Sequence, residues 1–145
     1  MNPILRTAAL IAALATALSA VFSVHAQTTA LPADKVLPSG VALKWTVAGT
    51  GAKPQATDTV QVHYRGTLLD GKEFDSSFKR GEPASFPLNR VVPCWTQALQ
   101  EMKVGDTADV TCPPATAYGE RGVPGTIPAN STLKFQVQLL AVKGK

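Results

Sequence analysis

Two cysteines and two histidines, with no Cys-x-x-Cys or His-x-His pair, leave the chain poorly supplied for metal or nucleophilic chemistry. Charge is sparse as well. Only 17% of the 145 residues are Asp, Glu, Lys or Arg, and the cations behind the net +4 are scattered without a basic run, so there is no nucleic-acid footprint. No Gly-rich loop ending in Lys-Ser/Thr occurs. Gly49-Thr50-Gly51 lacks a third glycine and a preceding buried strand, which removes support for nucleotide binding. No internal repeat and no long exposed apolar stretch runs from Val41 to Val142, against a structural or adhesive surface protein. What remains is 45% apolar residues in a length that suits one domain with its own core.

The first 26 residues stand apart. Arg6 is followed by an uncharged, Ala- and Leu-rich stretch from Thr7 to Val24, then by Val24-His25-Ala26, whose small residues suit signal peptidase. Residues 1–26 therefore read as a signal peptide. Thr16, Ser19 and Ser23 interrupt the stretch and no charged stop follows, against a permanent membrane anchor, and no cysteine follows to carry a lipid. The remaining 119 residues carry a net +3 and one histidine, His63. Residues 27–39, with Pro32 and Pro38, read as an extended linker, and residues 40–145 as the folded domain.

Within that domain the apolar residues alternate. Val41, Leu43, Trp45 and Val47 have the period-2 pattern of a strand with one buried face. A second strand is expected over residues 59–69, with Val60, Val62 and Tyr64 inward and His63 on the opposite face, which disfavours a catalytic His63. Asp70-Gly71, between Leu68-Leu69 and Glu73-Phe74, predicts a tight two-residue hairpin that needs positive φ. Strands over 106–112 and 132–142 complete a mostly antiparallel sheet. One segment alone has a helical period: Pro93 suits the first position, Trp95, Leu99 and Met102 follow at i, i+4 and i+7, and Gly105 lies beyond the end. Periodicity by itself makes Trp95 simply the largest core residue on that stripe.

Several segments in order then carry a resemblance. Val62-His63-Tyr64-Arg65-Gly66-Thr67-Leu68, Asp70-Gly71-Lys72-Glu73-Phe74-Asp75-Ser76-Ser77, Val91-Val92-Pro93-Cys94-Trp95, Met102-Lys103-Val104-Gly105-Asp106, Ala117-Tyr118-Gly119 and Ile127-Pro128-Ala129-Asn130-Ser131-Thr132-Leu133-Lys134-Phe135 are spaced as in FKBP-type peptidyl-prolyl cis-trans isomerases. The chain resembles that family from Val41 to Val142. The resemblance implies an α+β fold, a twisted antiparallel sheet wrapped around one short helix. It also implies a proline-binding pocket between them, formed by Tyr64, Phe74, Asp75, Val91, Val92, Trp95, Tyr118, Ile127 and Phe135. Trp95 would be the floor. Tyr118 would offer a hydroxyl to a substrate carbonyl, and Asp75 and Tyr64 would form a buried polar pair balanced by Arg80, itself expected among the substrate-binding residues. Asp75, Tyr118 and Tyr64 are the expected catalytic residues, and His63 matches a strand histidine that is not catalytic.

The implied reaction is rotation of an X-Pro bond, which breaks no covalent bond and needs no cofactor or metal. A non-catalytic chaperone or peptide-binding module using the same pocket is the rival reading. Two departures from the family stand out. Ala84 replaces a frequent aromatic and Thr126 a branched aliphatic, so one wall is expected to be thin and affinity for macrolide inhibitors reduced. Cys94 replaces the small residue before the pocket tryptophan, and with Cys112 in an exported chain it is expected to form a disulfide. The expected partners are proline-containing polypeptides, with no nucleic acid and no membrane anchor, the expected state is a monomer, and the expected compartment is the periplasm, with the cell exterior second.

Overall fold

A computed structural model of the chain describes residues 30–144, so the expected signal peptide and the first residues of the expected linker lie outside the described residues. The described chain forms seven strands, β1 (Lys35–Val36), β2 (Ala42–Val47), β3 (Thr59–Leu68), β4 (Glu73–Ser76), β5 (Ala84–Pro87), β6 (Thr107–Cys112) and β7 (Leu133–Val142). Its helices are α1 (Ser77–Arg80) and α2 (Pro93–Leu99). The strands make one antiparallel sheet in the order β1-β2-β6-β7-β3-β4, with β5 also on β3.

Alternation explains the long strands. β3 buries Val60, Val62, Tyr64 and Leu68, and β7 buries Leu133, Phe135, Val137 and Leu139, so both turn one face to a common core. Each such side chain contributes roughly 1.5–3 kcal/mol relative to exposure. Val47, expected on the inner face of β2, is instead 51% exposed. The register of β2 on β6 shifts between Trp45 and Val47, and that shift ends the alternation. Within the stretch read as a linker, Lys35–Val36 pair with Leu43 and Ala42 and add a short strand to the sheet.

The outer edge of β3 is shared. β5 pairs with residues 59–62 and β4 with residues 65–67, leaving a gap between them at His63 and Tyr64. Ser77 fills it. The fully buried Ser77 hydroxyl accepts the Tyr64 N–H at 2.7 Å and donates to the Tyr64 carbonyl at 3.3 Å, in place of a strand partner. His63 lies on the other face, with Nδ1 2.8 Å from the same hydroxyl and its ring stacked on Phe78 at 4.6 Å.

The β3–β4 hairpin corrects the two-residue expectation. Gly71 N donates to Leu68 O and Leu68 N to Lys72 O, so the loop is Leu69-Asp70-Gly71. Only Gly71 takes positive φ, at 91°, while Asp70 uses its carboxylate to accept the Lys72 N–H. This is a turn closed by a bulge, one residue longer than the tight form. α1 is a second correction, because helical periodicity cannot register a single turn. Its signals are local: the Ser76 hydroxyl caps the Lys79 N–H, and Gly81 at φ 77° closes the other end.

α2 begins at Pro93 as expected but ends at Leu99, after which Glu101 and Met102 bond back to Ala98 and Leu99 in a tighter turn. It still buries Trp95, Leu99 and Met102. Nearby, the carboxylate of the buried Asp106 accepts the Trp45 indole N–H and the N–H groups of Gly49 and Lys103. That hub accounts for Gly49-Thr50-Gly51, whose backbone also bonds to Val104 through Gly51.

Seven residues are too few for an isolated helix to persist, so α2 depends on tethers. One is the disulfide. Cys94 and Cys112, both fully buried, are joined with their Cα atoms 5.7 Å apart, linking the first turn of α2 to β6. Labelling with a thiol reagent in denaturant without reductant should find no free thiol, and a C94S/C112S double variant should lose about 3 kcal/mol of unfolding free energy for a closed loop of this length. Two reactive thiols, or an unchanged urea midpoint, would contradict the tether.

Candidate active site

Between α2 and the inner face of the sheet lies a cavity of about 490 Å³. Trp95 forms its floor. The rings of Tyr64, Phe135 and Phe86 meet Trp95 nearly at right angles, with centroids 5.0, 5.3 and 5.4 Å away, and Phe74 meets Phe135 likewise at 5.6 Å. Edge-to-face pairs of this kind contribute about 0.5–1.5 kcal/mol each beyond area burial and hold the rings in fixed orientations. Val91 and Val92 form an apolar lip ahead of α2, and Tyr118, 41% exposed, stands at the rim. The buried indole N–H of Trp95 meets no acceptor among the described residues. An unpaired buried donor of this kind costs about 1–3 kcal/mol and is characteristic of functional sites.

The polar side of the cavity is a three-residue network. The Tyr64 hydroxyl donates to Asp75 Oδ2, and Arg80 Nη1 donates to Asp75 Oδ1 at 2.6 Å. Arg80 Nη2 also reaches the Tyr64 oxygen at 3.1 Å, and the Ser76 N–H completes the set at 2.9 Å. The chain positions all three: Asp75 lies opposite Gly66 in the β3–β4 register, and the single turn of α1 brings Arg80 back over it. Burial raises the Asp75 carboxyl, but the hydrogen bonds from Tyr64 and Arg80 and the Arg80 charge outweigh it, so its pKa lies below the usual value. Burial, followed by the bond to Asp75, pushes the Tyr64 hydroxyl above its usual value. Arg80 is held still more firmly protonated by its bonds to Tyr64 and Asp75.

Comparison with known proteins decides the family. Residues 50–140 match the family described as FKBP-type peptidyl-prolyl cis-trans isomerase. The chain belongs to the FKBP-type peptidyl-prolyl cis-trans isomerase family. It is 54% identical over 109 residues to the FKBP-type peptidyl-prolyl cis-trans isomerase FkpA of Aeromonas hydrophila, covering 75% of this chain and 40% of that protein. To the outer membrane protein MIP of Legionella longbeachae it is 52% identical over 112 residues, covering 77% and 48%. The crystal structure of FkpA from Escherichia coli superposes with a TM-score of 0.73 at 50% identity, covering 76% of this chain and 51% of that one. This FKBP-type chain thus spans about half the length, or less, of these relatives.

Most of the expected pocket residues line the FKBP-type cavity: Tyr64, Phe74, Asp75, Val91, Val92, Trp95, Tyr118 and Phe135. Two do not. Arg80 acts on Asp75 from outside the lining, and the buried Ile127 lines a separate groove with Leu68, Thr126 and Pro128. Asp75 and Tyr64 are not a wholly buried pair either, since the Asp75 side chain is 41% exposed beside Arg80. Two lining residues were missed. Phe86 points inward by the alternation of β5, and its ring lines the cavity edge-on to Trp95. Alternation over Ala84-Ser85-Phe86-Pro87 was the signal available for Phe86. Arg90, at the end of a 3-10 turn over Leu88–Arg90, had no local signal.

Gly66 shows how closely the walls are set. A Cβ there would lie 2.6 Å from Phe74 Cζ and 2.8 Å from Phe135 Cε1. Gly66→Ala should therefore displace both rings, cost about 1–3 kcal/mol of stability as overpacking does, and weaken peptide binding in an NMR titration; unchanged ring chemical shifts would refute the contact. The network predicts a pH effect of definite sign. With the Asp75 pKa lowered in the fold, its contribution is complete above the unfolded carboxyl value of about 3.9 and is lost as pH falls through the folded value. Urea unfolding between pH 2 and 5 should show a shallower acid-side decline for Asp75→Asn than for the parent chain, and equal slopes would remove Asp75 from that decline.

Proposed function

We propose that this domain is a peptidyl-prolyl cis-trans isomerase acting on proline-containing segments of exported polypeptides. The observation that carries the reading is the apolar cavity floored by Trp95, of a size to take a prolyl ring. The amide barrier of ~18–20 kcal/mol comes from resonance, and an X-Pro bond crosses it unaided in tens to hundreds of seconds. Twisting the bond ends the conjugation and reduces its charge separation, so an aromatic, water-poor cavity disfavours the planar state more than the twisted one. No nucleophile is required.

In this reading the prolyl ring packs on Trp95 while Tyr118, at the rim, donates to a substrate carbonyl and holds one side of the bond still. Asp75 acts as a positioning residue. Its two oxygens already take donors from Tyr64, Arg80 and Ser76, which favours orientation of the Tyr64 wall over direct contact with the reacting carbon. The leader sequence and the Cys94–Cys112 bridge, which suits an oxidising compartment, support action in the periplasm.

A protease-coupled assay on short X-Pro peptides tests the proposal. The parent chain should accelerate isomerisation, and Tyr118→Phe should lower kcat/KM about fivefold, the worth of one hydrogen bond of ~1 kcal/mol. Peptide binding with no acceleration would instead make the domain a peptide-binding module.

A further inference from the structure

Two charged residues line the cavity, Asp75 and the exposed Arg90. Asp75 is engaged by Tyr64, Arg80 and Ser76. Arg90 is not engaged: among the described residues its guanidinium has no hydrogen bond, ion pair or ring contact. Its backbone is nonetheless fixed. Arg90 ends the Leu88–Arg90 turn, whose fully buried Leu88 donates its N–H to Asp58 O at 2.9 Å and accepts the Thr96 hydroxyl at 2.6 Å. Two residues on, the Val92 carbonyl accepts the Trp95 N–H at 2.9 Å. The turn that carries the guanidinium is thus tied on both sides to the helix that carries the cavity floor.

We infer that Arg90 is a specificity-determining residue, favouring substrates with an Asp or Glu within about two residues of the proline. The inference rests on the reading of the cavity as a proline-binding site. An extended peptide advances ~3.4 Å per residue, and three methylenes and a guanidinium span about two such steps. A peptide whose proline sits on Trp95 therefore passes its neighbouring side chains within reach of Arg90. Carboxylate geometry matches the guanidinium fork. The Asp75 wall does not compete for an acidic side chain, because it presents a carboxylate already matched by Arg80. An acidic substrate residue is thereby directed toward the Leu88–Arg90 turn.

The test compares peptides differing only by Glu or Gln, placed before the proline in one pair and after it in another. Isomerisation and NMR-titrated affinity are measured for both pairs at low and high salt. With the parent chain, Glu should be favoured over Gln about two- to fivefold at low salt in at least one pair, and less at high salt, as for an exposed ion pair. Arg90→Gln should bring the ratio to about one, Arg90→Glu should invert it, and Arg90→Lys should keep part of it. A ratio of one in the parent chain, or a preference that survives Arg90→Gln, overturns the inference and leaves the isomerase reading intact. If neither peptide is turned over, the isomerase reading fails and the affinity ratio still decides the role of Arg90; if neither binds, both fall.

Discussion

The contact of the Trp95 indole with the rings of Tyr64, Phe86 and Phe135 is the interaction on which the rest of the molecule turns. It joins a helix too short to persist alone to three separate strands, β3, β5 and β7. Removing it would leave α2 held by Pro93, the disulfide and the Thr96 hydroxyl, and would leave the sheet with an uncovered apolar face. The same contact creates the cavity. Rings set edge to face cannot fill the space above the indole as stacked rings would, so the geometry that stabilises the core also leaves a hollow lined by aromatic carbon.

Mutually paired charge stands on one wall of that hollow. Asp75, Tyr64 and Arg80 satisfy one another, which lets a carboxylate stand at an apolar cavity without drawing in further charge. Because the pKa of Asp75 is lowered and that of Tyr64 raised, the network keeps one protonation state across the neutral range. In the proposed isomerase reading, a bond is rotated without proton transfer, and such constancy serves it. The contrast with the sheet's opposite face is informative: a larger groove of about 620 Å³ there is lined by Lys44, Arg65, Asp109 and Gln136, which are cross-strand neighbours in one row, and offers no comparable aromatic floor.

Legibility in the sequence followed the length of each element and the number of residues voting for it. β3 and β7, ten residues each, repeat their inward positions often enough for period-2 reading, and Trp95, Leu99 and Met102 mark α2 by three widely spaced positions. The β3–β4 loop was misjudged by one residue because Asp-Gly is compatible with two turn geometries. The Asp70 carboxylate, which accepts the Lys72 N–H, goes with the longer of the two. α1 escaped because one turn has no period, and only its flanking Ser76 and Gly81 betray it. In the site, most residues matched to family segments were legible, whereas Ile127, matched as well, bridges to Val123 and lines a separate groove.

The site divides its labour between core and rim. The floor belongs to a helix tied by Cys94 to β6, which lies inside the sheet between β2 and β7, and the walls to the long strands β3 and β7 joined by Phe74 and Phe86 of the short strands β4 and β5. Those elements must be regular to bury their faces, so their sequences carry a period. The rim belongs to short segments, the Leu88–Arg90 turn, held by hydrogen bonds to Asp58 and Thr96, and the loop bearing Tyr118. In the proposed reading, rotation of the bond needs the constant part, an apolar floor on which the prolyl ring packs. Discrimination between substrates acts on what protrudes from the cavity, and so falls to the rim. A fold arranged in this way can change its clientele by exchanging single rim residues such as Arg90 while the core, and with it the chemistry, stays as it is.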